Sequence, residues 1–505
     1  MSAPLKNLLR DARIDLVLSR VEKDPSIVEE IIQNLDSEIR SIRFNSILVL
    51  GELGLESHSA LSKLTSCLED EDWSICREAV RSLGKMGKPA ENASFKLSNL
   101  LKSEENSIRK EAAIALGKIG HASKESISGL IDALKDDDVF VRVEAAHALG
   151  IFGSKAQKSI PALINAIKDS NWPVRSAAVK ALSGIGQDAH DAAPFLLNAL
   201  GDKDWRVRQA IVRTVANMGP EIIPIVLKYL KHYNLLIREG VIEILNEIKL
   251  DNPEIITELA ILLEDSQSSI RGKATDALRS IGKNAIPGLK KAYNKPIKIS
   301  FLFKSMNIRN VIILLILLIS ILIISIPFNQ TALFLLVLVG IILLSPYIAF
   351  LILREKLERD ALILSALGGM GEQAKEAISF IVDNLNHRSK LIRVEAARAL
   401  GAIGNTAVEG IPALLNSLTD IRKRVRSESA ISLGKIGQSD NQAIKALINA
   451  TKDKKLIVRW RAVEALARIG TEESNVISTL KNLLHDKSDL VAEVALEALD
   501  EISGV

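Results

Sequence analysis

Apolar residues recur along this chain with a helical period, and the pattern itself recurs. In VRVEAAHALGIFG (Val141–Gly153) apolar positions fall at i, i+3, i+4, i+7 and i+8, the spacing of a helix with one buried stripe. Matching segments begin at Ile42, Ile75, Ile108, Val141, Val174 and Val207, with the same interval at every step. Ile237 and Ile270 continue the series after one shorter step, from Val207 to Ile237. Arg359, Ile392, Val425, Val458 and Val491 resume it at the original interval. Before each such helix lies a shorter apolar segment like IPALINAIKD (Ile160–Asp169). Pro161, Pro194, Pro224, Pro287 and Pro412 share one place near its start, where a missing N–H costs little. The pattern predicts about thirteen two-helix repeats, each of about 33 residues. One pair cannot bury its apolar face alone, so the copies must stack, and the expected fold is an all-α helical-repeat solenoid. Residues 4–22 read as an amphipathic lead-in helix.

Between Arg309 and Arg354 the alternation stops, because no residue there is charged. Val311–Phe328 and Thr331–Leu353 are two apolar runs separated by Asn329 and Gln330. A helix of about 20 apolar residues crosses a bilayer core, so this stretch is expected to form a two-helix transmembrane hairpin. Its insertion point can be calculated. The step from Pro161 to the second-helix start at Val174 is repeated from Pro194 to Val207, Pro224 to Ile237 and Pro412 to Val425. The same step from Pro287 predicts a start at position 300, yet the match begins at Arg359. The excess equals the length of 295–353. The expected organisation is an N-terminal repeat array (1–294), a transmembrane hairpin inserted within one repeat (295–353) and a C-terminal array (354–505). Lys290, Lys291, Lys295, Lys298, Lys304 and Arg309 precede the hairpin, and Arg354, Lys356 and Arg359 follow it. Positive flanks stay cytoplasmic, so both arrays are expected to face the cytoplasm.

Composition narrows the function classes. With 65 basic and 61 acidic residues the net charge is +4, which carries no bulk nucleic-acid signature. Cys67 and Cys76 form neither a CxxC pair nor a disulfide framework, which suits a reducing compartment. The charged N-terminus lacks a signal-peptide core. There is no HExxH, and no serine or cysteine recurs beside histidine. No catalytic, cofactor or metal residue is therefore assigned, and no cofactor is expected.

Charge follows the repeat. Arginine stands directly after the start residue in ten copies, from Arg43 and Arg109 to Arg459. Aspartate precedes it by six positions in many, as at Asp136, Asp169, Asp202, Asp420 and Asp453. This register suggests a ladder tying neighbouring turns; the alternative is a row that holds phosphates. Paired glycines (Gly51/Gly54, Gly84/Gly87, Gly117/Gly120, Gly150/Gly153, Gly401/Gly404, Gly434/Gly437) end helices, which points to C-caps rather than a phosphate cradle. Positions 2, 6 and 10 after each start vary freely and share a face. In the N-terminal array they supply a candidate partner-binding groove: Arg77, Arg81, Lys85, Lys110, Lys118, His147, Lys180 and Arg213, interleaved with Ile114, Val143 and Ile151. Such a groove suits an acidic segment of a protein partner, or the propionates of a tetrapyrrole. After the hairpin the turns inside repeats are basic: Arg388 and Lys390; Arg422, Lys423 and Arg424; Lys452, Lys454 and Lys455. These are candidate membrane-surface contacts.

LGKMG (Leu83–Gly87), LGKIG (Leu116–Gly120) and IRVEAARALGAIG (Ile392–Gly404) resemble HEAT repeats, specifically the short HEAT-like repeats of the phycobilisome-lyase type. The resemblance covers roughly nine-tenths of the chain. It implies second helices lining a concave side. The expected function, from the repeats and the hairpin together, is a membrane-anchored cytoplasmic scaffold or adaptor for protein–protein interaction; the alternative, a bilin (tetrapyrrole) lyase or chaperone, is implied by the resemblance alone. HEAT-like repeats also occur in deoxyhypusine hydroxylase, which holds iron through His-Glu pairs; this chain has no His-Glu dipeptide.

Overall fold

The computed structural model describes residues 4–248, 252–296, 330–437, 440–469 and 474–503, with side chains described except at 55–57, 330–348 and 503. Every regular element among the described residues is helical. The chain forms two compact units, Met1–Ile248 and Lys249–Val505. In the first, Arg40–Leu53, Trp73–Met86, Asn106–Ile119, Val139–Phe152, Trp172–Ile185, Trp205–Ala216 and Leu235–Ile248 are the second helices of the expected pairs. In the second unit Ser268–Ile281, Lys390–Ile403, Lys423–Ile436, Leu456–Ile469 and Asp489–Ser503 take that part.

The buried stripe is the expected one. Ile75, Val141, Val174 and Val207 have no exposed surface, nor have Leu83, Leu116, Leu149 and Leu182. Each such side chain contributes about 1.5–3 kcal/mol of burial. The first helices are shorter. Ile160–Ala166, Ala193–Ala199, Ile223–Tyr229, Ile286–Tyr293 and Ile411–Ser417 carry their proline in the first turn, as predicted. The lead-in is not one helix but two, Leu5–Arg10 and Ile14–Lys23. Ala12 between them takes φ 54°, a left-handed conformation that a helix cannot carry through.

The paired glycines have different roles, which corrects the reading of both as caps. The first of each pair lies inside the helix, where the next second helix presses in. A Cβ on Gly117 would stand 3.2 Å from Ala148 Cα, and one on Gly150 2.8 Å from Ala181 Cα. The second glycine is the cap, with φ 61° at Gly153 and 79° at Gly404. Gly437 breaks the rule at φ −91°.

Arginine and aspartate form the expected ladder. Arg109, Arg142, Arg175, Arg393, Arg426 and Arg459 each grip, through Nε and Nη2, both carboxylate oxygens of the aspartate one repeat on, at 2.6–3.2 Å. Nη1 of Arg109 donates to two carbonyls of its own turn, Ser103 and Glu104. Asp136 in turn accepts the N–H of Asp138 at 2.8 Å. Each rung thus closes one turn and ties it to the next. The guanidiniums are fully engaged in the ladder, which removes the phosphate-row alternative at these six positions. At the shortened step His232 falls where the aspartate partner of Arg208 would be, and Arg208 donates to its own-turn carbonyls, Asp202 and Lys203. His232 and His387 occupy the aspartate's place in their own turns, and their Nδ1 atoms accept the N–H of Asn234 and Ser389.

The repeat that receives the insertion departs from the rest. Arg359 stands where other copies have Ile or Val, and it is 1% exposed. Its guanidinium donates to Glu264 Oε1 (2.8 Å), Asp360 Oδ1 (2.8 Å) and the carbonyls of Lys295 (2.8 Å) and Tyr293 (3.1 Å). Tyr293 also donates to Asn384 Oδ1 and meets Phe380 edge-to-face. The described residues on both sides of 297–329 therefore share the second unit. Of the expected hairpin, Val311–Phe328 lies outside the described residues. Thr331–Leu353 lies on the 40-residue helix Gln330–Gly369, whose side chains are described from Ala349 onward. Among the described residues no single helix is long and apolar enough to cross a membrane.

This packing has three measurable consequences. Gly150→Ala should lower stability by about 1–3 kcal/mol through overpacking, while Gly272→Ala, in a helix with nothing within 4 Å of the new Cβ, should raise it by about 0.5–1 kcal/mol; urea unfolding reads both. Arg359→Ala, which strands Glu264 and Asp360, should cost about 3–5 kcal/mol in the same assay. The third is a pH dependence. Burial alone would raise the Asp136 carboxyl, but hydrogen bonds from Arg109 and the Asp138 N–H, with the charges of Arg109 and Arg142, hold it below its ordinary 3.8. Asp169, Asp420, Asp453 and Asp486 are lowered in the same way. A depressed carboxyl contributes stability that is present above its ordinary value and lost as pH falls through the folded value. The urea midpoint should therefore drop below about pH 4, less steeply in Asp136→Asn.

Candidate interaction face

The eight candidate groove residues all lie on second helices, but their neighbours treat them differently. Arg77 lies over the Trp73 ring, 5.0 Å from its centroid. Arg81 is held between Glu78 (3.4 Å) and Glu111 (3.3 Å), both carboxylates being buried. Lys85 pairs with Glu52 at 2.7 Å. At the start of the row Arg81 and Lys85 are thus neutralised by neighbouring carboxylates. The neutralising carboxylates come from positions one residue along the same face or from the neighbouring copy.

Further along, the row opens into a real groove of about 470 Å³ across three helices, Asn106–Ile119, Val139–Phe152 and Trp172–Ile185. Lys118, His147 and Lys180 stand around it with Ile114, Ile151 and Glu144. Its floor is the small-residue stripe, Gly117, Ala148, Gly150 and Ala181, so the close helix approach creates the hollow. Lys118, His147, Lys180 and Ile151 are exposed, Ile151 at 64%. His147 Nδ1 lies 3.5 Å from Glu144, while Lys118 and Lys180 have no carboxylate within ion-pair distance among the described residues. Arg77, Arg81, Lys85, Lys110 and Arg213 do not line this groove.

The eight basic turn residues of the second unit, Arg388 to Lys455, are all exposed. Sequence reasoning missed what stands among them: Leu391 (37% exposed), Ile421 (82%) and Leu456 (40%). It also missed exposed aromatics at the second-helix starts of the first unit, Trp73, Phe140 and Trp205. For the two tryptophans the signal was present as Asp-x-Asp-Trp at 70–73 and 202–205. The acidic residues before these aromatics are absorbed by structure: Asp72, Asp138 and Asp204 cap their helices. Among the described residues no group of three or more His, Cys, Asp or Glu side chains could hold a metal.

The family model for HEAT repeats matches residues 94–183, 127–203, 193–279, 355–434 and 411–500, well over half of the chain. The chain belongs to the HEAT-repeat family. No curated protein matches this HEAT-repeat chain in sequence. Among solved structures it is similar to importin beta in an ammonium sulfate condition, at 12% identity over 97% of this chain and 81% of that one, TM-score 0.38. It is also similar to Kap121p bound to Pho4p, at 15% identity over 94% and 52%, TM-score 0.47. An engineered protein matches at 24% identity over 38% and 96%, TM-score 0.32. At these identities and TM-scores they carry no argument about what the chain binds. The finer resemblance to the phycobilisome-lyase type finds no support in these comparisons.

Arg81 and Lys118, both on the candidate row, should behave differently when mutated. Arg81→Ala leaves two buried carboxylates short of a partner and should cost about 1–3 kcal/mol; Lys118→Ala should stay within about 0.5 kcal/mol. Thermal or urea unfolding of the two variants separates them.

Proposed function

We propose that this HEAT-repeat protein is a membrane-anchored interaction scaffold. In this reading residues 311–353 hold it in a bilayer, both arrays lie on the cytoplasmic side, and the groove of the first unit receives an acidic segment of a partner protein. The groove is the observation that carries the binding role. It sets two unneutralised lysines beside Ile114 and Ile151 over a floor without side-chain bulk, a surface that offers both charge steering and apolar contact. What supports the anchor is the charge-free stretch itself, its length against a bilayer core, and the basic residues at both ends. A tetrapyrrole would meet the same lysines through its propionates, but no described residue favours it over a peptide.

The anchor is tested by alkaline carbonate extraction: the chain should stay with the membrane pellet, and removing 311–353 should release it. Extraction of the intact chain overturns the anchor. The groove is tested with a fluorescent Glu- and Leu-rich helical peptide added to the detergent-solubilised full chain. Lys118→Glu with Lys180→Glu should weaken binding at least about tenfold, or 1.4 kcal/mol, and salt should weaken the native interaction. Unchanged affinity in a folded double variant places the binding face elsewhere.

A further inference from the structure

The second unit carries a surface that the groove does not use. Helix Gln330–Gly369 runs without a break into the array, where Ile363, Leu364, Ala366 and Leu367 have no exposed surface. Arg359 marks the level at which the next second helix has Ile392, one repeat later. Gly368 meets Ala399, Gly401 meets Ser432, and Gly434 meets Ala465. All three contacts span the same sequence offset, so these helices run parallel and in register. The charge-free run ends at Leu353, and Arg354 stands five positions before Arg359, about 8 Å along the axis at 1.5 Å per residue. The turns before the following helices stand at about that height: Arg388 lies four positions before Ile392, and Ile421 four before Val425. The apolar helix therefore leaves the array from the edge on which the basic turns lie.

That edge has the composition of a lipid interface. Its eight basic residues are exposed and, among the described residues, none is in an ion pair. Between them stand Ile421, Leu391 and Leu456, with Ile421 the most exposed aliphatic residue of the group at 82%. A protein partner of acidic character would satisfy the cations alone. Aliphatic side chains held out among unpaired cations fit a surface with anionic headgroups outside and hydrocarbon just beneath.

We propose that this turn edge is a second, peripheral lipid-binding site that lays the C-terminal unit on an anionic bilayer, its cations at headgroup phosphates and Ile421 in the acyl boundary. The proposal rests on the anchor reading, since that reading brings the edge to the membrane.

The test uses the full chain in nanodiscs of phosphatidylcholine, with or without phosphatidylserine, carrying an environment-sensitive label at Ile421→Cys or at Val408→Cys. Val408 is 52% exposed and lies in the turn after a second helix, away from this edge. Burial pushes the thiols of Cys67 and Cys76 up to about 11, so they hold little thiolate and label slowly at neutral pH. Lipid-borne nitroxide should quench the residue-421 label several-fold more in the anionic discs than the residue-408 label. Arg422→Glu with Lys423→Glu and Arg424→Glu should remove that difference. Protein that enters the discs with residue 421 unquenched, or quenched no more than residue 408, overturns the edge alone and leaves the anchor standing. Equal quenching in neutral and anionic discs overturns the role of the cations. Protein that enters no disc overturns the anchor and this site together.

Discussion

The structure depends on the bidentate arginine–aspartate rung that recurs from copy to copy. A helix pair of this length cannot close a core, so stability must come from its neighbours. The apolar stripe supplies most of that energy but is slippery, because one Leu or Ala packs nearly as well as another. The rung removes the ambiguity. Arg142 reaches Asp169 only when the two turns are aligned, and its remaining nitrogen ties down the carbonyls of Asp136 and Asp137. The rungs are largely shielded from solvent, with 7% of the Arg175 side chain and 10% of Asp202 exposed, so their charges are screened far less than those of an open surface pair. The glycine stripe then sets how closely the aligned helices approach.

The same logic explains the exception. An insertion in the turn of a repeat deletes the place where a rung would form, and the chain answers with Arg359. A buried arginine in an apolar slot is costly unless every donor is used. Here Glu264, Asp360 and two carbonyls accept from it, and those carbonyls belong to Tyr293 and Lys295, where the first helix of the interrupted repeat gives way to the inserted segment. The charge thus fastens the helix after the insertion to the helix before it. Asp360, taking the place of the usual arginine, is pushed up by burial despite Arg359 beside it, which reflects how dry this junction is.

Function in such a fold belongs to whatever the stacking leaves over. The stripe, the rungs and the caps occupy the same positions in most copies, and it is chiefly the remaining positions that differ. In the first unit those positions hollow out a groove between Lys118, His147 and Lys180; in the second they raise a row of cations and aliphatics along one edge. Neither surface disturbs the packing: the groove takes Gly117, Ala148, Gly150 and Ala181 of the stripe as its floor and adds side chains that the stack does not use.

Much of this could be read from the sequence alone, for a physical reason. Repeats touch mainly their own neighbours, so each contact recurs at a fixed offset and shows itself as a register of Val, Ala, Arg and Asp. The helix pairs, the buried stripe, the prolines, the ladder partners and the place where the repeat is interrupted all follow from that register. What the tertiary structure decided is everything the register does not repeat. Lys85 and Lys118 are equivalent along the chain, yet one pairs with Glu52 of the preceding copy and the other stands free, because the next copy has Lys85 itself where Glu52 stood. The two glycines of each pair also look equivalent, and only the neighbouring helix shows that one makes room and the other caps. Arg359 reads as a weak match to the repeat, and only its four acceptors, two of them main-chain carbonyls without sequence identity, show it to be the residue that closes the interrupted repeat.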